Sequence, residues 1–293
     1  MSTAGKVLIT GAGGQLGTEL LALAPREWEV VPCTSGELDI SDRKSVERVL
    51  AAVRPAVVIN TAAFTRVDDA EREASRAQAV NAEGARNVAQ AVQQVGARLI
   101  HVSTDFVFDG SQGRPYLPDD TPNPLGVYGR TKLAGEELIR ERTRGAALIV
   151  RTAWVYSGRG HNFVRTMLRL MRERDSVNVV ADQVGTPTWA RSLARALWIA
   201  AQLPELRGVL HWTDAGVASW YDFAVAIQEE AHATGLLDRP VTVRPVRTDE
   251  YPGAARRPAF SVLDKSTGWA ALGGQPPHWR VNLRRMLGEL TRE

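Results

Sequence analysis

The 293-residue chain has one cysteine, Cys33. No intrachain disulfide can form, and no Cys/His metal cluster can be built around it, so disulfide scaffolds and zinc modules are excluded. Within Trp28-Glu-Val-Val-Pro-Cys33 the thiol reads as a small core residue on a strand. No apolar run approaches the ~18 residues that a membrane span needs. The first residues lead straight into a strand with no signal peptide, so the expected location is cytoplasmic and no membrane partner is expected. There is no Lys/Arg block of the kind that follows nucleic acid, and the net charge of +3 is mild. Repeats and low-complexity tracts are also missing. What remains is an ordinary globular composition, 44% hydrophobic and 24% charged, long enough for one large domain or for one domain with a smaller partner.

The N-terminal segment reads strand, turn, helix. Lys6 to Thr10 is apolar and β-branched, Gly11-Ala-Gly13-Gly14-Gln15-Leu16-Gly17 follows, and Thr18 to Leu23 has helical composition. This order is the context that a dinucleotide fingerprint requires. Glycines let backbone approach a pyrophosphate, and a helix N-terminus offers free N–H groups. Glu29 to Cys33 is a second strand. An NAD enzyme carries an acid about 20 residues past the glycines for the ribose 2′-hydroxyl. Here Pro32-Cys-Thr-Ser35 offers none before Glu37. The expected cofactor is therefore NADPH, with NADH left open. Asp39 and Ile40 suit the adenine, or Asp39 merely begins the next turn.

Ser41 and Asp42 can cap a helix reaching about Val53, and Ala56 to Asn60 is a third strand. Ala62 and Ala63 at its end allow close packing on a flat cofactor, with Thr65 and Asp68 at the mouth. A helix is expected from about Ser75 to Val95, with Asn81 inside it. Arg98 to Val102 is a fourth strand, placing Ser103 and Thr104 at the sheet edge where open α/β folds bind ligands. Tyr128 and Lys132 are four apart at a helix start, so they share a face. A strand-end hydroxyl with a Tyr/Lys pair is equipped to reduce a carbonyl. Ala147 to Arg151 is a fifth strand. Beyond residue 155 the alternation loosens. Thr188 is expected to cap a helix to about Gln202, Gly208 to Trp212 forms another strand, and Ser219 starts a helix. The whole reads as an α/β chain. A Rossmann-like doubly wound parallel sheet is joined to a smaller C-terminal α/β substrate-binding lobe. Residues 1–155 form the dinucleotide-binding domain, with later segments returning to it, and 156–293 are mainly the substrate lobe.

Four motifs place the chain among known proteins. Gly11-x-x-Gly14-Gln15-Leu16-Gly17, Ser103-Thr104-Asp105-Phe-Val-Phe-Asp109-Gly110, Tyr128-Gly-x-x-Lys132-x-x-Gly135-Glu136 and Arg151-Thr-x-Trp154-Val-Tyr156 resemble the extended short-chain dehydrogenase/reductases. Asn162-Phe163, Asp182-Gln183-x-Gly185-x-Pro187-Thr188, Gly216-x-x-Ser219-Trp220 and Tyr251-Pro252-x-x-Ala255-Arg256-Arg257-Pro258 narrow the resemblance to the dTDP-4-dehydrorhamnose reductase family. That resemblance implies NAD(P)H-dependent reduction of the 4-keto group of a dTDP sugar, in the last step of dTDP-L-rhamnose synthesis. It implies Thr104, Tyr128 and Lys132 as catalytic residues, with Lys132 drawing the Tyr128 phenol towards its phenolate. The cofactor would meet Gly11, Gly14, Gln15, Leu16, Gly17, Asp39, Ile40, Ala62, Ala63, Thr65, Ser103, Tyr128 and Lys132. The sugar nucleotide would meet Thr104, Asp105, Phe106, Trp154, Asn162 and Gln183, with Arg257 on its diphosphate. No metal is expected, and a homodimer is left open. Two departures stand out: Phe106 and Ala153 occupy positions where the family commonly has tyrosine and serine. Two alternatives remain, a 4-ketoreductase for another dTDP-deoxysugar and a non-catalytic NADP-binding regulatory subunit.

Overall fold

The computed structural model describes residues 5–251 and 253–290, so Pro252 of the last motif lies outside the described residues. In chain order the main elements are β1 (Lys6–Thr10), α1 (Gln15–Ala22), β2 (Glu29–Cys33), α2 (Arg43–Val53), β3 (Val57–Asn60), α3 (Ala85–Val95), β4 (Arg98–Thr104) and α4 (Val127–Thr143). They continue with β5 (Leu148–Thr152), α5 (Phe163–Glu173), β6 (Ser176–Val180), α6 (Ala190–Gln202), β7 (Gly208–His211), α7 (Trp220–Ala233), β8 (Thr242–Val246) and α8 (Trp279–Leu290). Six strands form one parallel sheet in the order β7-β5-β4-β3-β1-β2.

The central strands are largely apolar because both faces of the sheet are covered. Val7 and Ile9 pack under α1 and α6 on one side, while Leu8 and Val58 pack under α2 and α3 on the other. Strand order reverses across β1, since β2 lies on one side of it and β3 on the other. A crevice therefore opens beyond the strand ends at that point. The later residues build a second apolar cluster, in which Phe223, Trp279, Leu283 and Met167 join α5, α7 and α8. Beside it β6 and β8 pair in parallel.

Local chemistry explains most boundaries. The Asp42 carboxylate accepts from the backbone N–H groups of Lys44 and Ser45, capping α2. Ser219 and Asp222 form a capping box at the start of α7. Three expectations need correction. Helix α1 begins at Gln15, inside the glycine turn, because the Gly14 carbonyl already accepts from Thr18. The helix expected from Ser75 is broken into Ala74–Gln78, a π turn at Ala79–Gly84, and α3. At the π turn the Asn81 carbonyl meets Gly135 of α4, where any side chain would collide, and the Asn81 amide bonds elsewhere. Thr188 does not cap α6. It pairs with Val155, and the first free N–H, that of Trp189, donates to Asp214 instead.

Helix α4 is held onto the sheet by a buried ion pair. Glu136 and Arg151 are 0% and 1% exposed, and the Arg151 guanidinium meets Glu136 at 2.7 Å and 2.9 Å. Breaking such a pair leaves an uncompensated buried charge. Arg151→Met should cost about 3–5 kcal/mol in urea unfolding, and adding Glu136→Leu should recover most of that. A single substitution costing under about 1 kcal/mol would mean that Arg140 and Ser103 satisfy Glu136 without Arg151.

Candidate active site

The crevice beyond the strand ends is a cleft of about 1750 Å³. It is lined from the glycine turn, the ends of β2 to β5, the start of α4, and the 161–183 and 248–257 segments. All the cofactor, catalytic and sugar positions named from the sequence lie along it.

At one end, α1 points its N-terminus into the cleft. Its N-cap is Gly14, no side chain caps it, and no acid sits in its first turn. Gly17 lets the helix close on the turn, since a Cβ there would strike the Gly11 carbonyl. An uncapped, acid-free helix end fits the pyrophosphate of a nicotinamide dinucleotide. Past β2, the Glu37 carboxylate accepts from the backbone and hydroxyl of Thr34, each at 2.8 Å. The carboxylate is thus turned onto Thr34, beside the cleft-lining Thr34 and Ser35. Asp39 accepts from the backbone and hydroxyl of Ser41, so it shapes the turn before α2 while lining the cleft. Ile40 is buried, and Ala62 and Ala63 lie across from the glycines.

The central residues meet at the ends of β4 and α4. Thr104 Oγ1 donates to Asp105 Oδ1 at 3.0 Å, and Asp105 Oδ2 is buried without a partner. Burial pushes the Asp105 carboxyl up to about 7, against hydrogen bonding from Ser261 and Thr104. Burial also pushes the Tyr128 phenol up to about 12; the Thr104 hydroxyl pulls it down and the Asp105 charge pushes it up. Lys132 bonds to β4. Its side-chain nitrogen donates to the Val102 carbonyl at 2.7 Å and lies 3.3 Å from His101 Nε2. The expected pull of Lys132 on the phenol is therefore absent from this arrangement. Burial lowers Lys132 itself to about 8, with Glu136 opposing. Phe106 packs edge-on against Tyr128, ring centres 5.7 Å apart.

Several named side chains are already committed. The Ser103 hydroxyl donates to Glu136 at 2.5 Å, so it anchors α4. Asn162 caps α5 through Arg165 and gives its amide to Gln15, Ser157 and Arg159, leaving no donor for a sugar. Gln15 is correspondingly the tie between the glycine turn and the later residues. Arg257 makes a 2.6 Å ion pair with Asp68 across the mouth. Gln183 donates to Thr248 at 3.1 Å. Trp154 has a left-handed backbone, φ 46°, and its indole stacks on Trp220 at 3.5 Å. An apolar wall of Trp154, Trp220 and Phe163 results. Sequence reading assigned no role to Glu136 or Arg151, though both fell inside quoted motifs. It also took His101 as part of an apolar strand, although a lone imidazole in such a run was a signal.

Sheet order, glycine turn and the Thr/Tyr/Lys cluster define an oxidoreductase of the extended short-chain dehydrogenase/reductase class. Residues 5–292 match the family described as the RmlD substrate binding domain, and the chain belongs to that family. A dTDP-4-dehydrorhamnose reductase of Mycobacterium tuberculosis (strain H37Rv) is 45% identical over 289 residues, spanning 96% of this chain and 92% of that one. The dTDP-4-dehydrorhamnose reductase of Escherichia coli (strain K12) is 40% identical over 292 residues, 97% of each chain. A crystal structure of dTDP-4-dehydrorhamnose reductase from Bacillus anthracis in complex with NADP superposes with a TM-score of 0.91 at 40% identity, covering 99% of this chain and 100% of that one. Among the described residues no group of three or more His, Cys, Asp or Glu could hold a metal, and no helix is long and apolar enough to cross a membrane.

The proton on Asp105 links stability to pH. Its folded pKa of about 7 lies above the ordinary 3.8, so the native state binds the proton more tightly than the unfolded chain. That stabilisation is complete below about pH 4 and is lost as pH rises through 7. Asp105→Asn should flatten this fall in denaturant titrations across that range. An unchanged slope would mean the carboxyl is ionised in the folded protein.

Proposed function

We propose that the chain is an NAD(P)H-dependent reductase acting on the 4-keto group of dTDP-4-dehydro-β-L-rhamnose. The product is dTDP-L-rhamnose, a sugar donor for polysaccharide synthesis. The observation that carries this reading is the convergence of Thr104, Tyr128 and Lys132 in one cleft with the uncapped N-terminus of α1. Residues 1–155 supply the dinucleotide-binding part, with β7 returning to its sheet, and 156–293 supply most of the sugar-nucleotide wall. NADPH is the preferred cofactor, because the nearest acid past β2, Glu37, is turned onto Thr34. The B. anthracis relative was solved with NADP. The glycine turn, Ala62, Ala63 and Lys132 would hold it, and when bound it supplies hydride to the carbonyl carbon.

The chain's own residues handle the oxygen. Negative charge builds on that oxygen as the carbon is reduced, so a donor placed there stabilises the transition state more than the ketone. Tyr128 gives the proton. A phenol held near 12 keeps its proton across physiological pH, so it is loaded before the reaction begins. Thr104, steadied by Asp105, orients the carbonyl oxygen. Lys132, as an ammonium, holds the cofactor ribose. The flat Trp154–Trp220 wall suits the apolar face of a sugar ring. Arg257 is the diphosphate residue in this reading, and taking that role requires it to exchange its bond to Asp68. A cytoplasmic location suits this reading, since its dTDP sugar and reduced dinucleotide would both be drawn from that compartment. The homodimer is a matter for light scattering, where a single-chain mass would remove it.

Phe106 keeps a second reading alive, a ketoreductase for another dTDP-deoxysugar, because its ring supplies no hydroxyl beside Tyr128. The deciding experiment is NMR identification of the product from each dTDP-4-keto sugar with NADPH or NADH. Turnover of another sugar but not of the rhamnose precursor would favour the second reading. Tyr128→Phe should lower turnover by about 10²–10³ while leaving dinucleotide affinity, read by fluorescence, nearly unchanged. Wild-type turnover in that variant would remove Tyr128 from the mechanism.

A further inference from the structure

Behind the catalytic lysine runs a line of buried polar side chains that the reaction as described does not use. Thr10 Oγ1 donates to Asn60 Oδ1 at 2.6 Å, Asn60 Nδ2 lies 2.9 Å from His101 Nδ1, and His101 Nε2 lies 3.3 Å from Lys132 Nζ. The line crosses β1, β3 and β4 and ends on α4. Its members are 0%, 0%, 1% and 2% exposed, so bulk solvent does not reach them. Thr10 immediately precedes Gly11, so the line joins the catalytic lysine to the root of the glycine turn.

Donors and acceptors along such a line must alternate. As placed, Thr10 donates to Asn60 and Asn60 donates to His101 Nδ1. A neutral ring then carries its proton on Nε2 and points it at Lys132. An amine nitrogen can accept that bond; an ammonium, which has only donors, cannot. For Lys132 to be charged, Nε2 must become the acceptor, Nδ1 must carry the proton, and the Asn60 amide must turn its oxygen to the ring. Asparagine can do this because the two ends of its amide have the same shape. His101 has no third choice, since burial, and then the Lys132 charge, hold its pKa well below the ordinary value and keep the ring neutral.

We propose that His101 is a positioning residue whose tautomer is coupled to the charge on Lys132, so that the hydrogen-bond line to Thr10 runs one way with the amine and the other with the ammonium. This rests on the role given to Lys132 above. Other charges around the lysine are accounted for. Tyr128 and Glu136 flank it on α4, and Glu136 is engaged by Ser103, Arg151 and Arg140. Asp105, at the end of β4, accepts from Thr104. Glu83 and Arg86 pair with each other, Arg66 with Asp69, Arg76 with Glu73, and Asp68 with Arg257, while Glu71 accepts from the Val127 backbone. Burial brings Lys132 to about 8, so both charge states lie within reach of ordinary buffers.

The first test needs no variant. Long-range ¹H–¹⁵N spectra of the wild-type protein report which ring nitrogen of His101 carries the proton. The expected result is Nδ1–H below the Lys132 titration and Nε2–H above it, with the change following the lysine ¹³Cε signal. One tautomer throughout, or a protonated ring, would overturn the coupling. The second test is the Lys132 titration in His101→Leu and His101→Gln. Leucine offers no acceptor, so the lysine's proton affinity should fall about tenfold, and the alkaline limb of turnover should move down with it. Glutamine can turn either end to the lysine and should restore most of the wild-type value. An unmoved lysine in folded His101→Leu overturns the proposal. These readings concern His101 alone. A wild-type protein that reduces no 4-keto sugar would remove the catalytic role of Lys132 and leave the spectra standing as a separate result.

Discussion

A carboxylate with no exposed surface is the constraint on which this active site depends. Glu136 sits on the same face of α4 as Tyr128 and Lys132, and burial alone would drive it to its neutral form. The hydrogen bonds and charge of Arg151, followed by Ser103 and Arg140, more than offset that cost and leave its pKa below the ordinary value. Because Ser103 and Arg151 come from the ends of β4 and β5, keeping Glu136 charged also fixes where α4 lies on the sheet. The tyrosine and lysine then project over the strand ends at a set height. An apolar residue at 136 could be as stable, but it would hold the helix less specifically.

Much of this was legible in the sequence. Apolar β-branched runs gave the buried parallel strands, glycine spacing gave the turn, and a separation of four put Tyr128 and Lys132 on one face. The illegible parts have a common physical origin. Ser103, Asn162 and Lys132 were named for their chemistry, yet each has its polar atoms claimed by a neighbour distant in sequence: Glu136, Gln15 and His101. Residue type shows what a side chain can do, while its partner is set by the fold. Thr188 lost its capping role in the same way, because it is paired with Val155, while Asp214, far along the chain, takes the N–H of Trp189.

Burial drives the electrostatics of the centre in one direction, against charge. Asp105 and Tyr128 are held towards their protonated forms and Lys132 towards its neutral one. A site in this condition is short of compensating charge. A ligand that arrives with phosphates and a polarised carbonyl meets groups whose charge states are not yet fixed, so binding and protonation are linked. The Asp68–Arg257 pair at the mouth adds a cation that is already occupied, and an anionic ligand must compete for it.

The π turn at Ala79–Gly84 has a consequence of another kind. A π turn holds one residue more than the α-helix it interrupts. The segments before and after it are therefore out of phase by about 100° relative to a continuous helix. The upstream segment sits under Phe64, while the downstream stripe of Val88 and Val92 faces the sheet. Winding residues 79–84 as ordinary α-helix without losing a residue would rotate one of these faces away from its cover, whereas deleting one residue would let a continuous helix keep both. The π turn is thus the device that lets the chain carry one extra residue here while both faces stay covered.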